Sequence, residues 1–428
     1  MKLEKVYTYF LESTGICTDT RKIEKGCLFV ALRGDNFNGN KFTQQALDKG
    51  AFKVIIDDIS QHKNTGETIL CKNTLELLQK LATYHRQKLN VPMIALTGSN
   101  GKTTTKEIIN AVLSKKFKTT ATLGNLNNHI GVPLTLLSMT KETEIGIVEM
   151  GANHAKEIAF LCKIAKPNMG YITNFGKAHL EGFGSEEGVV KAKSELYDFL
   201  KTQSSLIILN SDDAKQVAQL GTYNNTCTFS ETLETDVNVK LTASQPFLSI
   251  TLKEISIKTQ LVGVYNFHNI AAALTIGTYF KLIPLQLKKG IEAYIPTNNR
   301  SQIIQQNSNE ILLDAYNANP SSMEVALENF KGLENPNKLA ILGDMFELGM
   351  TSAKEHLALV NHAVSMQDCR FYFVGSHFYE QNKAHPNLLF FKTFEELQVH
   401  LEKTMVSNTT ILIKGSRGMA LERVLEFI

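Results

Sequence analysis

The sequence predicts an α/β protein built from three domains. Apolar runs typical of buried parallel strands alternate with helical patterns from residue 93 to about 295, and a second α/β alternation follows residue 300. The chain has 428 residues, which is too many for one ordinary hydrophobic core. A proline-containing step at residues 90–92 and a polar segment at 296–300 supply the two boundaries.

The first predicted domain covers residues 1–88. Residues 27–32 (CLFVAL) and 52–57 (FKVIID) have the composition of short buried strands. Residues 74–88 (TLELLQKLATYHRQK) have the spacing of an amphipathic helix. Asn90-Val91-Pro92 then ends the domain, because a residue before proline is biased away from helical backbone.

The second predicted domain covers residues 89–296 and contains a doubly wound sheet. Its strand-like runs are MIALTG, EIGIVEMG, MGYITNFG and SLIILNSDD, and helical patterns separate them. Residues 225–262 are expected to form an antiparallel insert, which precedes a helix over HNIAAALTIGTYFKL.

The third predicted domain covers residues 297–428 and follows a hinge at 296–300 (PTNNR). Its strands are EILLDAYNANP, KLAILGDMF, RFYFVGS and TTILIKGSR, and each ends near glycine, asparagine or serine. This pattern predicts a second α/β unit.

Composition excludes several classes of protein. A formal net charge of +3 and a pI near 8.3, with no basic tract, argue against nucleic acid as a partner. No segment has the continuous apolar core of a signal peptide or the length of a membrane span, so we expect a cytoplasmic protein. The six cysteines are scattered and are expected to be reduced.

Residues 97–103 (TGSNGKT) predict a phosphate-binding turn between a strand and a helix. Backbone N–H groups in such a turn bind anionic oxygens because they are unpaired and lie at the positive end of the helix dipole. The spacing is G-x-x-G-K-T, since Leu96 stands where the common G-x-x-x-x-G-K-[ST] motif has its first glycine. An ordinary turn with two glycines is the alternative. The residues expected to hold nucleotide phosphates are Gly98, Ser99, Asn100, Gly101, Lys102, Thr103 and Thr104.

Two residues near the same sheet edge could bind a cation. Glu149 ends the apolar run EIGIVE, and ligands gather at the carboxyl ends of strands in a doubly wound sheet. His179 lies in the loop after the next strand, where it is either a ligand or a solvated loop histidine.

Lys193 falls on the predicted buried stripe of a helix, together with Val189, Leu196 and Leu200. One interpretation is a snorkelling side chain whose ammonium group reaches water. The other is a buried neutral amine that reacts with CO₂ and becomes a carbamate able to bind metal.

Three further segments are rich in side chains that recognise ligands. GNLNNHIGVP (124–133) crowds asparagines into a turn, either for sugar or phosphate contacts or for capping the loop. GVYNFHNIAAAL opens a helix with Asn266, His268 and Asn269, and DAYNANPSSM closes a strand with Asp314.

These segments resemble the Mur ligase family over nearly the whole chain. The resemblance rests on TDTRKIEKGCLFVALRGDNFNGNKF, TGSNGKTTTKE, GNLNNHIGVPLTLL, VEMGANHAKEI, ITNFGKAHLEGFGSEEGVVKAKSELY, GVYNFHNIAAA, DAYNANPSSM, LGDMFELG and IKGSR. The segments YNANP and DMFELG resemble the members that add D-alanyl-D-alanine. The implied fold is a small N-terminal α/β domain, a central doubly wound P-loop ATPase domain and a C-terminal Rossmann-like domain.

The resemblance also implies roles for individual residues. ATP would be bound by the turn together with Asn266, Asn269, Arg300 and Asp314. Two Mg²⁺ ions would be held by Thr103, Glu149, His179 and a carbamate on Lys193, and the implied catalytic residues are Lys102, His179 and Lys193. The UDP-linked substrate would contact Thr20, Arg21, Asn127 and Asn128, and the dipeptide would contact Asn317, Asn319, Lys414, Ser416 and Arg417. Tyr265 departs from the family pattern, which commonly has histidine there.

The implied activity is ATP-dependent ligation of D-alanyl-D-alanine to UDP-N-acetylmuramoyl-tripeptide through an acyl phosphate, by a monomer. A related ligase that adds glutamate to a folate, or a single amino acid to a muramoyl peptide, is the first rival. A nucleotide switch or UDP-sugar-binding protein without ligase activity is the second. The sequence leaves open which diamino acid occupies the third peptide position.

Overall fold

The computed structural model describes residues 2–63, 65–297 and 299–428. Three sheets with helices packed against them, and one small hairpin, are found in these ranges. None of the described helices combines the length and apolar character needed to cross a membrane. Asn298, in the predicted hinge, lies outside the described residues.

The N-terminal domain is built on a parallel sheet with strand order β1-β2-β5-β6, beside the antiparallel hairpin β3–β4. Its elements are α1 (Leu3–Glu12), β1 (Ile16–Cys17), β2 (Leu28–Val30), β3 (Arg33–Gly34), β4 (Phe37–Asn38), α2 (Thr43–Asp48), β5 (Lys53–Ile56), β6 (Thr68–Leu70) and α3 (Thr74–Leu89). The predicted helix over 74–88 is confirmed. It begins where the Asn73 side chain accepts a hydrogen bond from Glu76 N and ends at Asn90, which has a left-handed backbone.

The central domain is built on nine strands in the order β15-β14-β13-β12-β11-β10-β7-β9-β8. Its elements are β7 (Met93–Thr97), α4 (Lys102–Leu113), β8 (Thr119–Ala121), α5 (Gly131–Leu137), β9 (Ile145–Glu149), α6 (Glu157–Ala165), β10 (Met169–Ile172), α7 (Leu180–Phe183), α8 (Glu186–Thr202), β11 (Leu206–Asn210), α9 (Ala214–Leu220), β12 (Thr226–Ser230), β13 (Val237–Ala243), β14 (Ser249–Leu252), β15 (Ile255–Lys258), α10 (Asn266–Tyr279) and α11 (Pro284–Glu292).

The predicted antiparallel insert at 225–262 is only partly right. β13, β14 and β15 do pair antiparallel, whereas β12 pairs parallel with both β11 and β13. The four strands therefore extend the central sheet. The β12 segment (TCTFS) is a short run whose direction is set by its sheet neighbours, and hydrophobic pattern alone does not encode that direction.

The C-terminal domain is built on six strands in the order β16-β17-β21-β18-β19-β20, of which only the β16–β17 pair is antiparallel. Its elements are β16 (Gln302–Gln306), β17 (Asn309–Asp314), α12 (Pro320–Lys331), β18 (Lys338–Gly343), α13 (Ser352–Ser365), β19 (Cys369–Val374), α14 (Ser376–Tyr379), β20 (Leu388–Phe391), α15 (Phe394–Lys403) and β21 (Thr410–Lys414). The domain boundary predicted at 88/89 falls in the last turn of α3, and that at 296/297 falls between α11 and β16.

Sheet order brings the predicted site residues to one edge. β10, β7 and β9 are adjacent and parallel, so the loops that follow Ile172, Thr97 and Glu149 leave the sheet side by side. In the C-terminal sheet β17 and β21 are neighbours, and their last residues, Asp314 and Lys414, stand in register.

Candidate active site

The turn between β7 and α4 has the backbone of a phosphate cradle. Gly98 and Gly101 have φ values of +144° and +77°, a region that residues with a Cβ rarely adopt. A Cβ at Gly98 would lie 2.0 Å from Oγ1 of Thr173, and one at Gly101 would lie 2.8 Å from Oδ1 of Asn269. Both positions therefore require glycine, and the first turn of α4 lines a cleft beside them.

The loop after β10 holds this cradle in place. Thr173 Oγ1 donates to the carbonyl oxygen of Asn100 at 2.6 Å, and Asn100 N donates to Asn174 Oδ1 at 3.0 Å. Ser99 Oγ donates to the carbonyl oxygen of Gly176 at 3.0 Å. The sequence analysis missed Thr173 and Asn174, whose only signal was their place at the end of the run MGYITNFG.

Lys102 is the cation of the cradle. Its Nζ donates to the carbonyl oxygens of Gly98 at 2.8 Å and Ser99 at 3.1 Å. Burial lowers the pKa of Lys102, the Glu149 carboxylate raises it, and the Arg300 charge lowers it. A phosphate oxygen could replace these neutral carbonyl partners, because hydrogen bonds between charged groups are stronger than those to neutral ones.

Glu149 presents a carboxylate with one unused oxygen. The residue is only 1% exposed, and its Oε1 accepts a hydrogen bond from Asn127 Nδ2 at 2.8 Å. Its Oε2 is buried and has no hydrogen-bond partner among the described residues. A buried, unpaired carboxylate oxygen is costly unless a cation joins it, so this atom fits a Mg²⁺ ligand.

A metal ion here would need ligands of more than one kind. The described ranges contain no group of three or more His, Cys, Asp or Glu side chains placed to hold an ion. Thr103 offers a hydroxyl at the start of α4 and is buried. Asn127, predicted as a contact for the UDP-linked substrate, lines the cleft and donates a hydrogen bond that orients the Glu149 carboxylate.

Lys193 is fully buried, so the snorkelling interpretation is wrong. Its Nζ donates to the carbonyl oxygen of Ala152 at 3.0 Å and lies 5.0 Å from the centre of the Phe183 ring. Burial holds the pKa of Lys193 well below its usual range, and the nearby positive charge of Lys102 lowers it further. The neutral form of the amine is therefore more populated at Lys193 than at an exposed lysine.

His179 lines the same cleft as Glu149 and also contacts the C-terminal domain. Its Nδ1 forms a hydrogen bond with Oε2 of Glu347, in the loop after β18. This bond lowers the pKa of the Glu347 carboxyl, although partial burial raises it. The sequence analysis did not identify Glu347, which belongs to the quoted segment DMFELG.

Asn266 and Asn269, in the first turn of α10, support the cradle from behind. Asn269 Oδ1 accepts from Thr105 Oγ1 at 2.9 Å, and its Nδ2 donates to Asn266 Oδ1 at 2.8 Å. Asn266 Nδ2 donates to the carbonyl oxygen of Val262 at 2.8 Å. Both asparagines line the cleft, but their amides are already hydrogen-bonded within the protein.

Tyr265 joins the central domain to the C-terminal domain. Its hydroxyl group lies 2.7 Å from Ser301 Oγ, and burial followed by the negative charge of Asp314 raises the pKa of this hydroxyl group. His268 and Asn210, 3.3 Å apart, also line the cleft, and Asn210 was missed from the sequence.

Arg300 and Asp314 enter the cleft from the C-terminal side. The Arg300 guanidinium lies 3.5 Å from the centre of the Tyr316 ring, and its buried Nε has no hydrogen-bond partner among the described residues. Asp314 accepts from Ser301 N at 3.1 Å and pairs with Lys414 Nζ at 2.5 Å.

The residues predicted for the dipeptide separate into two groups. Asn317, Asn319 and Lys414 line the cleft, and Asn319 Nδ2 donates to Asn100 Oδ1 of the cradle at 2.7 Å. Ser416 and Arg417 are not among the described residues that line it. Ser416 Oγ accepts a hydrogen bond from Phe346 N, and Arg417 pairs with Glu422. The sequence carried no signal that separated these two residues from the three that line the cleft.

The residues predicted for the UDP-linked substrate are also divided. Asn127 and Asn128 line the cleft, although Asn128 Oδ1 already accepts a hydrogen bond from Gly131 N at the start of α5. Thr20 and Arg21 lie in a short 3₁₀ helix of the N-terminal domain, outside the described lining, where Arg21 pairs with Asp19.

All three domains contribute to the cleft. Its cavity volume is about 1640 Å³, and its walls include Leu75 and Gln79 of α3, the cradle, and Arg300 with Asn317. Pockets for one drug-sized ligand measure roughly 300–1,000 Å³, so this cleft has room for more than one substrate.

Comparison with known proteins agrees with this geometry. The chain matches the family models "Mur ligase family, catalytic domain" over residues 12–86, "Mur ligase middle domain" over 96–277, and "Mur ligase, glutamate ligase domain" over 299–417. It is 35% identical to the UDP-N-acetylmuramoyl-tripeptide–D-alanyl-D-alanine ligase of Bacillus subtilis (strain 168), over 96% of this chain and 92% of the relative. Identity to the ligase of the same name from Escherichia coli (strain K12) is 32%, with the same coverage.

Solved structures show the same likeness. A crystal structure of MurF from Acinetobacter baumannii has a TM-score of 0.85 at 28% identity, covering 99% of this chain and 98% of that one. MurF ligase from Thermotoga maritima in complex with ADP has a TM-score of 0.85 at 27% identity, covering 98% and 97%.

Proposed function

Because the chain belongs to the Mur ligase family, we propose that its cleft is the active site of an ATP-dependent ligase that joins D-alanyl-D-alanine to UDP-N-acetylmuramoyl-tripeptide. The relatives from B. subtilis and E. coli bear that activity in their names and are matched over nearly their whole length. One structural observation carries the proposal: the Lys102 cradle, the unpaired oxygen of Glu149 and the Arg300 guanidinium line one cleft. The product is a precursor of peptidoglycan.

The reaction uses ATP to turn a poor acyl donor into a good one. A carboxylate cannot expel oxide, so the γ-phosphoryl group is first transferred to the terminal carboxylate of the tripeptide, which releases ADP and forms an acyl phosphate. The amine of D-alanyl-D-alanine then attacks the acyl carbon, loses a proton and displaces inorganic phosphate. Lys102 offsets the negative charge on the phosphoryl oxygens in both steps.

We assign two Mg²⁺ ions to the part of the cleft beside the unpaired oxygen of Glu149. Thr103, Glu149, His179 and a carbamate on Lys193 would hold them, and bound Mg²⁺ would neutralise charge on the phosphate oxygens. The carbamate forms when the neutral Lys193 amine bonds to the carbon of CO₂ and releases a proton. The buried Nζ and its lowered pKa support this modification.

We assign the substrates to the three domains divided at 88/89 and 296/297. The N-terminal domain holds the UDP end, near Thr20 and Arg21, while Asn128 lies where the muramoyl part would enter the cleft. The dipeptide lies against the C-terminal domain near Asn317, Asn319 and Lys414, with Ser416 and Arg417 as supporting residues. We take the enzyme to act as a monomer, and we place the reaction in the cytoplasm, where ATP is supplied.

The proposed function is tested by phosphate release from the purified full chain. ATP, Mg²⁺ and D-alanyl-D-alanine are supplied with UDP-muramoyl-tripeptides that differ only in the diamino acid at the third position. We expect phosphate release that requires both the tripeptide and the dipeptide. Release driven by a single amino acid or by glutamate with a folate would favour a related ligase, and nucleotide binding without release would favour the switch or binding protein.

Arg300→Ala is expected to raise KM for ATP and lower kcat together, with kcat/KM falling by about 10–100-fold, because a charge-assisted contact is lost. Arg300 lies at the junction of two domains, so its guanidinium meets nucleotide only when those domains are together. Steady-state kinetics with varied ATP checks the prediction. The control is Arg370→Ala, at the one exposed position of the otherwise buried strand β19, which should leave both constants unchanged. Unchanged kinetics in Arg300→Ala would assign Arg300 to structure alone.

A further inference from the structure

The segment around His179 contacts the C-terminal domain at several points, and Glu347 makes two of these contacts. Oε2 of Glu347 forms a hydrogen bond with His179 Nδ1, and the carbonyl oxygen of Glu347 accepts from Glu181 N at 3.2 Å. His179 and Glu347 have φ values of 53° and 61°, in the left-handed region that residues other than glycine seldom adopt. Two unusual backbone conformations thus meet at one contact between domains. The contact therefore depends on a defined local geometry.

The bond from Glu347 determines how the imidazole of His179 is presented. With Nδ1 as the donor to a carboxylate, the lone pair remains on Nε2, and that atom has no hydrogen-bond partner among the described residues. A carboxylate on one ring nitrogen fixes the ring and makes the other nitrogen a better metal ligand. His179 lines the cleft together with Glu149, whose Oε2 is unpaired.

We propose that Glu347 is a positioning residue for His179, so that docking of the C-terminal domain and metal binding in the cleft favour each other. This inference rests on the metal role of His179 in the proposed function. If the docked domain improves a metal ligand, then by thermodynamic reciprocity the bound metal favours the docked domain by the same factor.

Other contacts between these domains do not end on a proposed metal ligand. Lys177 Nζ lies 3.4 Å from Glu355 Oε1, and Asn319 donates to Asn100 at 2.7 Å. Glu355 therefore provides a matched control, since it is also a carboxylate of the C-terminal domain that contacts the loop after β10. Its removal loosens the interface without touching the imidazole.

The test uses Mn²⁺ in place of Mg²⁺, with the full chain and ADP. Mn²⁺ affinity is measured by electron paramagnetic resonance, and the coupling of Mn²⁺ to a histidine ¹⁴N is measured by pulsed methods. We expect Glu347→Ala to weaken Mn²⁺ binding by about 10–100-fold and to reduce the ¹⁴N coupling. Glu347→Gln, which keeps the size of the side chain, should have a smaller effect in the same direction, and Glu355→Gln should retain the coupling.

A second measurement follows the domains by small-angle X-ray scattering. We expect Mn²⁺ with ADP to reduce the radius of gyration of the wild-type chain, and Glu347→Ala to lose this response.

Wild-type Mn²⁺ affinity and ¹⁴N coupling in Glu347→Ala, or an equal loss of both in Glu355→Gln, would overturn the proposal. A wild-type spectrum without ¹⁴N coupling would overturn it together with the metal role of His179. None of these results depends on ligation, which the phosphate-release assay tests separately.

Discussion

Lys102→Ala is expected to lower kcat/KM for ligation by about 10³-fold while the protein stays folded. Lys102 is the one cation of the cradle turn, and its Nζ contacts only carbonyl oxygens of that turn in the described structure. Removing it takes a positive charge from the transferring phosphoryl group but little from the hydrophobic core. Phosphate release with both co-substrates measures the loss, and thermal unfolding monitors the fold.

The matched control is Lys115→Ala, the same change just beyond the other end of α4. Lys115 is exposed and lies away from the cleft lining, so its loss should change neither activity nor melting temperature. If Lys102→Ala turned over at the wild-type rate while remaining folded, the cradle would not be the ATP site, and the proposed mechanism would fail.

The sequence was sufficient for the fold wherever local pattern and capping agree. The helix over 74–88 carries an amphipathic stripe, an asparagine cap and a following proline, and α3 occupies that range. The turn of the cradle was also predicted, from its G-x-x-G-K-T spacing. In the structure both glycines stand where a Cβ would collide with a neighbouring side chain. Parallel pairing of β12 was not predicted, because strand direction depends on distant neighbours.

The site was less predictable because its contacts join residues that lie in different elements and often far apart in the sequence. Glu347 and Asn174 form hydrogen bonds with residues that lie 74 or more positions away in the sequence. Tyr316 contributes a ring that stacks on the Arg300 guanidinium. Residue type alone also did not reveal the contact of Asn127 with Glu149, since an asparagine amide serves a sugar hydroxyl or a carboxylate equally well.

Lys193 gives the second large expected effect. Its side chain is 0% exposed, and among the described residues its Nζ has a single hydrogen-bond partner, the carbonyl oxygen of Ala152 at 3.0 Å. An ammonium group in such a place is poorly solvated, which is why burial lowers its pKa so strongly. Conversion to a carbamate would replace that unfavourable cation with an anion able to share Mg²⁺ with Glu149.

Lys193→Ala is therefore expected to lower kcat by about 10³-fold or more, since it removes a proposed metal ligand. The truncation leaves space for a small carboxylate, so added acetate should restore part of the lost activity. Phosphate release is measured against acetate concentration, with chloride at equal ionic strength as the reference. An inactive variant that acetate does not improve would count against an anion at this position.

Lys193→Met is the matched variant, because methionine fills the space that alanine leaves empty. It should be as inactive as Lys193→Ala, and acetate should not restore it.

In CO₂-depleted buffer Lys193→Met should also be more stable than wild type by about 1 kcal/mol or more, because a buried amine is replaced by an apolar chain. The unfolded chain holds the Lys193 proton up to the ordinary pKa of 10.5, whereas the folded chain releases it at lower pH, so wild-type stability rises across that window. The advantage of methionine, measured by denaturant unfolding, should accordingly shrink as the pH approaches 10.5. Wild-type turnover by Lys193→Met, or equal acetate activation of both variants, would exclude the carbamate and leave the phosphate cradle as the surviving part of the mechanism.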